Sequence, residues 1–357
     1  GCRCHGCDKY YVVDIIVPDD LWERIRPTNA FVVGGLLCGK CIMERVKTLV
    51  FTGGHHTSAL EVAKILKDEG WHIVWFGHRH SMWGDKSNSA EYQEVTAAGI
   101  KFYDLLAGKF YRTYNPLKLL RIPLGFIQAF VWLAQVHPCG IVSFGGYLAV
   151  PTVICGRILG IPSITHEQTI VAGWANRAVG RFAKKIALTW PESAKFYPHS
   201  KTVVTGLPLR PEIINIRNSK LVPPAKPLAT HGKTQNSRLV IYITGGKQGS
   251  HVINQAVFQA LPQLTSKYQI IHQVGASSVY HDLDTAKAQI FSNYSFFDYS
   301  PTKQIQGYAA AHVVITRAGA HSMYELGFLG KKCVVIPIPC VSHNEQVQNA
   351  KILERNH

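Results

Sequence analysis

The residues best suited to chemistry sit in two glycine-rich turns and two cysteine knuckles. Thr52-Gly53-Gly54-His55 and Gly245-Gly246-Lys247-Gln248-Gly249 each follow an apolar run and precede a helical one. Glycines let the backbone approach an oxyanion, and the N–H groups and dipole at the start of the next helix favour negative charge there. Tight packing alone can also demand glycine, so one such turn says little. Two at equivalent positions point to the handling of a diphosphate. Neither ends in Gly-Lys-Ser/Thr, so neither is a Walker loop. Cys4-x2-Cys7 and Cys38-x2-Cys41 present four thiolates at the spacing of a tetrahedral zinc site. The metal would supply the folding energy that a small unit, residues 1–45, lacks. Cys2 and His5 are spare ligands, and an incidental or redox cysteine cluster is the plainer alternative.

These residues need elements to position them. Lys47–Thr52 reads as an apolar strand, and Thr57–Glu69 as a helix with Leu60, Ala63 and Leu66 on one face. Strand Ile73–Phe76 follows. The pairs Ile100–Tyr103 with Leu117–Val136, Gly140–Ser143 with Leu148–Leu159, and Ser163–His166 with Ala172–Ala183 keep the rhythm. Strands alternating with helices imply a doubly wound parallel sheet. Residues 206–236, with five prolines, interrupt it, so a hinge is expected near Gly206–Arg210 and a surface loop at 221–236. The rhythm restarts with strand Leu239–Thr244, helix Val252–Leu261 and strand Tyr268–Val274. Strand Val313–Thr316, helix Ser322–Leu329 and strand Cys333–Pro337 complete it. The expected domains are a ribbon at 1–45 and two Rossmann-like halves at 46–207 and 208–357, facing a cleft.

The chain has 357 residues, 46% hydrophobic and 17% charged, which suits two globular domains. With 38 Lys+Arg against 22 Asp+Glu, its net charge of +16 implies polyanionic partners: nucleic acid, an anionic membrane surface or phosphorylated substrates. Nine cysteines, four in tight pairs, do not resemble a secreted disulfide scaffold, which favours the cytoplasm. Leu117–Val136 is interrupted by Lys118, Arg121, Pro123 and Gln128 and is not read as a membrane span.

Seven motifs stand in one order: Thr52-Gly53-Gly54-His55, Phe144-Gly145-Gly146-Tyr147, His166-Glu167-Gln168, Gly206-Leu207-Pro208-Leu209-Arg210, Gly245–Gly249, Arg317-Ala318-Gly319-Ala320 with Glu325, and Gln346-x-x-Asn349-Ala350. In this order, from about Lys47 onward, the chain resembles the MurG family of inverting glycosyltransferases with the GT-B plan. It departs from the family at Val50-Phe51, where two glycines are usual, at Lys247, where Ser is usual, and at Thr169 and Leu207, where Asn is usual.

The resemblance implies transfer of N-acetylglucosamine from UDP-GlcNAc to the 4-hydroxyl of the MurNAc in an undecaprenyl-diphosphate-linked acceptor, lipid I. No paired-carboxylate metal motif stands near the donor loops, so the chemistry is expected to need no catalytic cofactor or metal. Donor contacts would come from Arg210, Gly245, Gly246, Lys247, Gln248, Gly249, Ala320, Glu325, Gln346 and Asn349. Glu325 would hold the ribose, while Gln346 and Asn349 would read sugar hydroxyls. Acceptor contacts would come from Thr52, Gly53, Gly54, Gly145, Gly146, Tyr147, His166, Gln168 and Asn176. His55 is the candidate base, with binding of the acceptor diphosphate as its alternative role, and Glu167 or His166 could replace it as base. His56 is expected to be structural.

Lys101, Lys109, Arg112, Lys118 and Arg121 flank Phe110, Tyr111, Leu119, Leu120 and Phe126. That mixture suits peripheral docking at the cytoplasmic face of an anionic membrane, against the alternative of a core helix with a solvated basic face. The last helix, Asn344–His357, has neither a glycine cap nor a closing proline. Because the resemblance implies further helices, residues 1–357 alone are expected to bind UDP but transfer poorly. The rival readings are a glycolipid synthase, a UDP-GlcNAc 2-epimerase and a zinc-ribbon nucleic-acid-binding protein. The scattered Lys9, Arg24, Arg26 and Lys40 weaken the last of these.

Overall fold

Alternation within the strands decides the layers of this protein. In the computed structural model, which describes residues 2–3, 10–11, 47–80, 88–108, 116–218, 238–338 and 344–356, Val50 packs on one face of its strand and Phe51 on the other. Val74 and Phe76 join Val50, whereas Ile73 and Trp75 join Phe51. A strand buried on both faces belongs in a parallel sheet covered by helices. The chain divides into two compact units, Gly1–Pro208 and Leu209–His357.

The first unit begins with a two-residue antiparallel pair, β1 (Cys2–Arg3) with β2 (Tyr10–Tyr11). The expected zinc ligands Cys4, Cys7, Cys38 and Cys41 lie outside the described residues, as do Lys109 and Arg112. The main sheet comprises β3 (Thr48–Thr52), β4 (His72–Gly77), β5 (Lys101–Asp104), β6 (Gly140–Ser143), β7 (Ser163–Glu167), β8 (Lys185–Leu188) and β9 (Thr202–Val204). All its pairings are parallel, in the order β5-β4-β3-β6-β7-β8-β9. Helix α1 (His56–Asp68) buries Ala59, Leu60 and Ala63 over the Phe51 face, where Phe51 stacks on Trp75 at 5.9 Å. After α2 (Ala90–Ala97), α3 (Pro116–Val136) and α4 (Ala149–Ile158) cover the Val50 face, and α5 (Trp174–Phe182) packs beside α4.

The second unit repeats the plan. Helix α6 (Pro211–Asn218) leads into β10 (Val240–Thr244), α7 (His251–Lys267), β11 (Gln269–Gln273), α8 (Asp282–Lys287) and β12 (Tyr294–Phe297). Then come α9 (Pro301–Ala310), β13 (Val313–Arg317), α10 (Ala320–Leu329), β14 (Lys332–Ile336) and α11 (Glu345–Asn356). The parallel order is β12-β11-β10-β13-β14. In both sheets the strand order reverses beside the first strand, at β3/β6 and at β10/β13. Doubly wound sheets bind ligands outside such points. Both glycine turns stand there.

Several elements differ from the expected ones. Helix α7 runs to Lys267, past Pro262, because Thr265 continues the buried face, and its hydroxyl also donates to Leu261 O at 2.7 Å. Helix α6 lies between the expected hinge at Gly206–Arg210 and the expected loop at 221–236, where no element was expected. Its Pro211 occupies the first helical position, where a missing N–H costs nothing. Among the described residues no helix is long and apolar enough to cross a membrane.

Buried polar residues also set a pH dependence. His272 on β11 is fully buried, with Nδ1 3.0 Å from the Tyr294 hydroxyl and Nε2 3.1 Å from Asn254 Oδ1. Burial pulls its pKa down to about 4, with Asp282 opposing. The unfolded chain takes this proton near pH 6.5, so stability falls as the pH drops from there to about 4. The loss from this group reaches about 3 kcal/mol. His272→Gln should flatten that limb of a urea-unfolding series between pH 7 and 4; an unchanged slope would refute the assignment.

Candidate active site

In the first unit the turns after β3 and β6 interlock. The Phe144 N–H donates to Thr52 O at 2.7 Å, and the Gly54 N–H to Gly145 O at 2.9 Å. A Cβ at Gly53, whose φ is +137°, would stand 2.6 Å from the Phe144 backbone, so only glycine fits. At Gly146, φ +77°, a Cβ would come within 3.2 Å of Gly54 N. Packing therefore accounts for these glycines. Gly54 itself is exposed, with little around its Cβ position. The Thr52 hydroxyl is buried without a hydrogen-bond partner among the described residues.

His55 precedes α1 and is half-buried. Its Nδ1 lies 3.0 Å from Phe144 O. A carbonyl only accepts, so Nδ1 carries the proton and Nε2 keeps its lone pair. That is the tautomer a general base needs. His56 Nε2 sits 3.2 Å from Glu94 Oε2. Tyr147 is half-buried, its ring 5.6 Å from that of His78, and burial raises its hydroxyl pKa.

Glu167, expected as an alternative base, is 1% exposed, and both its oxygens accept hydrogen bonds. Oε1 accepts from the Thr169 N–H at 3.0 Å and its hydroxyl at 2.8 Å. Oε2 accepts from Asn176 Nδ2 at 2.8 Å and from the Tyr197 hydroxyl at 2.5 Å. Asn176, expected to touch the acceptor, instead accepts the Gly146 N–H at 2.6 Å. Glu167 thus holds Asn176, which holds the Gly145–Gly146 turn. Gln168 is buried and accepts from the Ser58 hydroxyl at 3.0 Å, tying β7 to α1. His166 donates through Nε2 to Gly206 O at 3.0 Å, and burial lowers its imidazole pKa below the ordinary value. Its Nδ1 is a buried acceptor without a partner among the described residues.

In the second unit the Gly245–Gly249 turn is tight at its ends and open in its middle. A Cβ at Gly245 would lie 2.3 Å from Ser250 N, and one at Gly249, φ +83°, 2.0 Å from Val274 O. At Gly246, φ +84°, nothing comes within 4 Å. Lys247 places its ammonium 5.5 Å from the centre of the Tyr299 ring, and Gln248 is exposed. The Arg317 guanidinium lies beneath the turn, 3.4 Å from both Gly245 O and Gly249 O. Burial lowers its pKa.

Beside the turn, α10 begins at Ala320 behind Gly319. Glu325 is 2% exposed, not the exposed helix carboxylate that a lone Glu would suggest. It accepts from Arg210 Nη2 at 2.9 Å, and Arg210 also reaches Gln304 Oε1 at 3.2 Å. Burial opposes the Arg210 charge, but the pairing with Glu325 outweighs it and lifts the guanidinium pKa. Burial raises the Glu325 pKa, with Arg210 opposing. Asn349 donates to Ala318 O at 2.9 Å, and its Oδ1 is buried without a partner among the described residues. Gln346 accepts from the Ile338 N–H at 3.1 Å. Both therefore brace neighbouring loops.

Sequence reasoning assigned no role to Arg317, Gln304, Gln273 or Tyr197. A cation or amide closing an otherwise apolar strand, as at Arg317 and Gln273, was the available signal. Among the described residues no three His, Cys, Asp or Glu side chains converge as metal ligands.

Residues 49–188 match the glycosyltransferase family 28 N-terminal domain, and residues 240–357 its C-terminal domain. A Bacillus cereus protein named UDP-N-acetylglucosamine--N-acetylmuramyl-(pentapeptide) pyrophosphoryl-undecaprenol N-acetylglucosamine transferase 2 is 33% identical over 319 residues, covering 87% of this chain and 85% of the relative. A Legionella pneumophila transferase of the same kind is 32% identical over 316 residues, 86% of this chain and 82% of its own. Among solved structures, Acinetobacter baumannii MurG is similar with a TM-score of 0.63 at 25% identity, covering 87% of this chain and 84% of that one. The UDP-GlcNAc 2-epimerase of Neisseria meningitidis shares the fold, with a TM-score of 0.56 at 15% identity over 86% of this chain and 85% of that one.

Proposed function

The chain belongs to the MurG family within glycosyltransferase family 28, and we propose that it moves N-acetylglucosamine from UDP-GlcNAc to the MurNAc 4-hydroxyl of an undecaprenyl-diphosphate-linked acceptor. The observation that carries this reading is the 33% identity, spanning both units, to a transferase named for that reaction.

The chemistry follows from the side chains. The acceptor hydroxyl attacks C1 of the donor sugar while its proton passes to His55 Nε2. The bond from C1 to the UDP oxygen breaks with inversion, and UDP leaves with the electron pair. The backbone of the Gly245–Gly249 turn, Arg317 and Lys247 meet the negative charge that develops on the diphosphate. Glu325, fixed by Arg210, takes the ribose hydroxyls, since a carboxylate only accepts. Gln346 and Asn349, whose Oδ1 has no partner among the described residues, read the sugar. Glu167 and Asn176 act as positioning residues for the Gly145–Gly146 turn.

We also assign peripheral docking on an anionic membrane, at the cytoplasmic face, to the first unit. Leu124, Ile127, Phe130 and Val131 stand exposed on α3, with Ile127 61% exposed. Trp174 and Phe182 are exposed on α5 with Arg177 and Arg181. Apolar residues rimmed by cations suit a lipid surface. For residues 1–45 the paired cysteine spacing supports one structural zinc ion, which metal analysis of the purified protein tests.

A coupled assay of UDP release separates the rival enzymes. Release should require the lipid-linked MurNAc acceptor. Release with diacylglycerol would favour a glycolipid synthase, and turnover of UDP-GlcNAc without acceptor would favour an epimerase.

A further inference from the structure

We infer that Gln273 is a positioning residue for the donor's diphosphate, acting through the peptide that joins Gly246 to Lys247; this rests on the reading of the Gly245–Gly249 turn as diphosphate-binding. Gln273 ends β11 and is fully buried. Its Nε2 donates to Gly246 O at 3.0 Å, and its Oε1 accepts from the Tyr242 hydroxyl at 2.7 Å. The Tyr242 hydroxyl acts as donor there, which fixes which end of the amide faces the turn. Tyr242 is fully buried, with its ring edge-on to Tyr308 at 5.5 Å, so its hydroxyl has little latitude.

Gly246 O also accepts from the Gly249 N–H at 3.1 Å, so two donors hold this carbonyl inward. A trans peptide carries its N–H opposite its C=O. Holding Gly246 O inward therefore turns the Lys247 N–H outward. At Gly246 no atom lies within 4 Å of the Cβ position, so packing does not set this peptide's orientation there. The Gln273 amide does so together with the Gly249 N–H, and of the two only Gln273 is a side chain that a substitution removes. It thereby aims a backbone donor at the place where an anion would sit.

Calorimetric titration with UDP and with uridine, which lacks the diphosphate, tests this. The unmutated protein should bind UDP much more tightly than uridine. Gln273→Leu should weaken UDP about tenfold and leave uridine within about twofold. Tyr242→Phe keeps the ring and its packing, and should cost about threefold for UDP alone. Equal weakening of both ligands would reduce Gln273 to a merely structural role and overturn the inference. So would unchanged UDP affinity in either folded variant. Equal binding of UDP and uridine by the unmutated protein would instead remove the diphosphate from the turn, and the inference would fall with that reading.

Discussion

His55→Ala should lower the transfer rate by about a hundredfold or more while leaving UDP affinity unchanged. The expectation rests on the proton already placed at Nδ1, where it is donated to Phe144 O, which leaves Nε2 to receive a proton from the acceptor. His55→Gln sharpens the test. Its amide can still donate to Phe144 O and so preserve the turn, but it has no basic nitrogen. Both variants should therefore lose the rate together. If kcat stayed near normal and only the acceptor KM rose, His55 would bind the acceptor diphosphate. His166 is the weaker alternative base: the nitrogen it leaves free, Nδ1, is buried, and burial lowers the imidazole pKa.

Glu325→Ala should have two large effects. It leaves the Arg210 guanidinium, whose side chain is 14% exposed, without its carboxylate. Stranding one partner of a buried ion pair costs about 3 kcal/mol or more, so the unfolding midpoint in urea should fall clearly. The same change removes the proposed ribose acceptor and should weaken UDP at least tenfold, about 1.4 kcal/mol. Glu325→Gln retains an acceptor for Arg210 and should recover part of the stability. A folded Glu325→Ala protein with unchanged UDP affinity would take Glu325 out of the donor site, and an unchanged midpoint would deny the energetic weight of the pair.

The fold was legible wherever an element's own residues carried the signal. Val50-Phe51 and Ile73–Phe76 announce strands buried on both faces, and the glycine turns announce where those strands stop. Short helices opened by proline were not legible, whereas the long apolar run behind Pro116 was. Helices α6 and α9 begin at Pro211 and Pro301, and proline at a first helical position reads locally as a turn. Within the site, residue types were legible and partners were not. Glu167 stands out as a carboxylate at a strand end, but nothing nearby reveals that Tyr197, 30 positions on, donates to it. Arg210 and Glu325 are 115 positions apart, and only the folded second unit makes them one ion pair. Long-range pairing buries Glu167, named as an alternative base, against Tyr197, and buries Glu325, named as the ribose ligand, against Arg210.

Single-turnover transfer of radiolabel from UDP-GlcNAc to a lipid I analogue, with enzyme in excess, decides whether this chain is the proposed transferase. Label should enter the product only when the acceptor is present, carried in a β-linkage to the MurNAc 4-hydroxyl. Label released from UDP-GlcNAc without acceptor, or a product in the α-configuration, would contradict it.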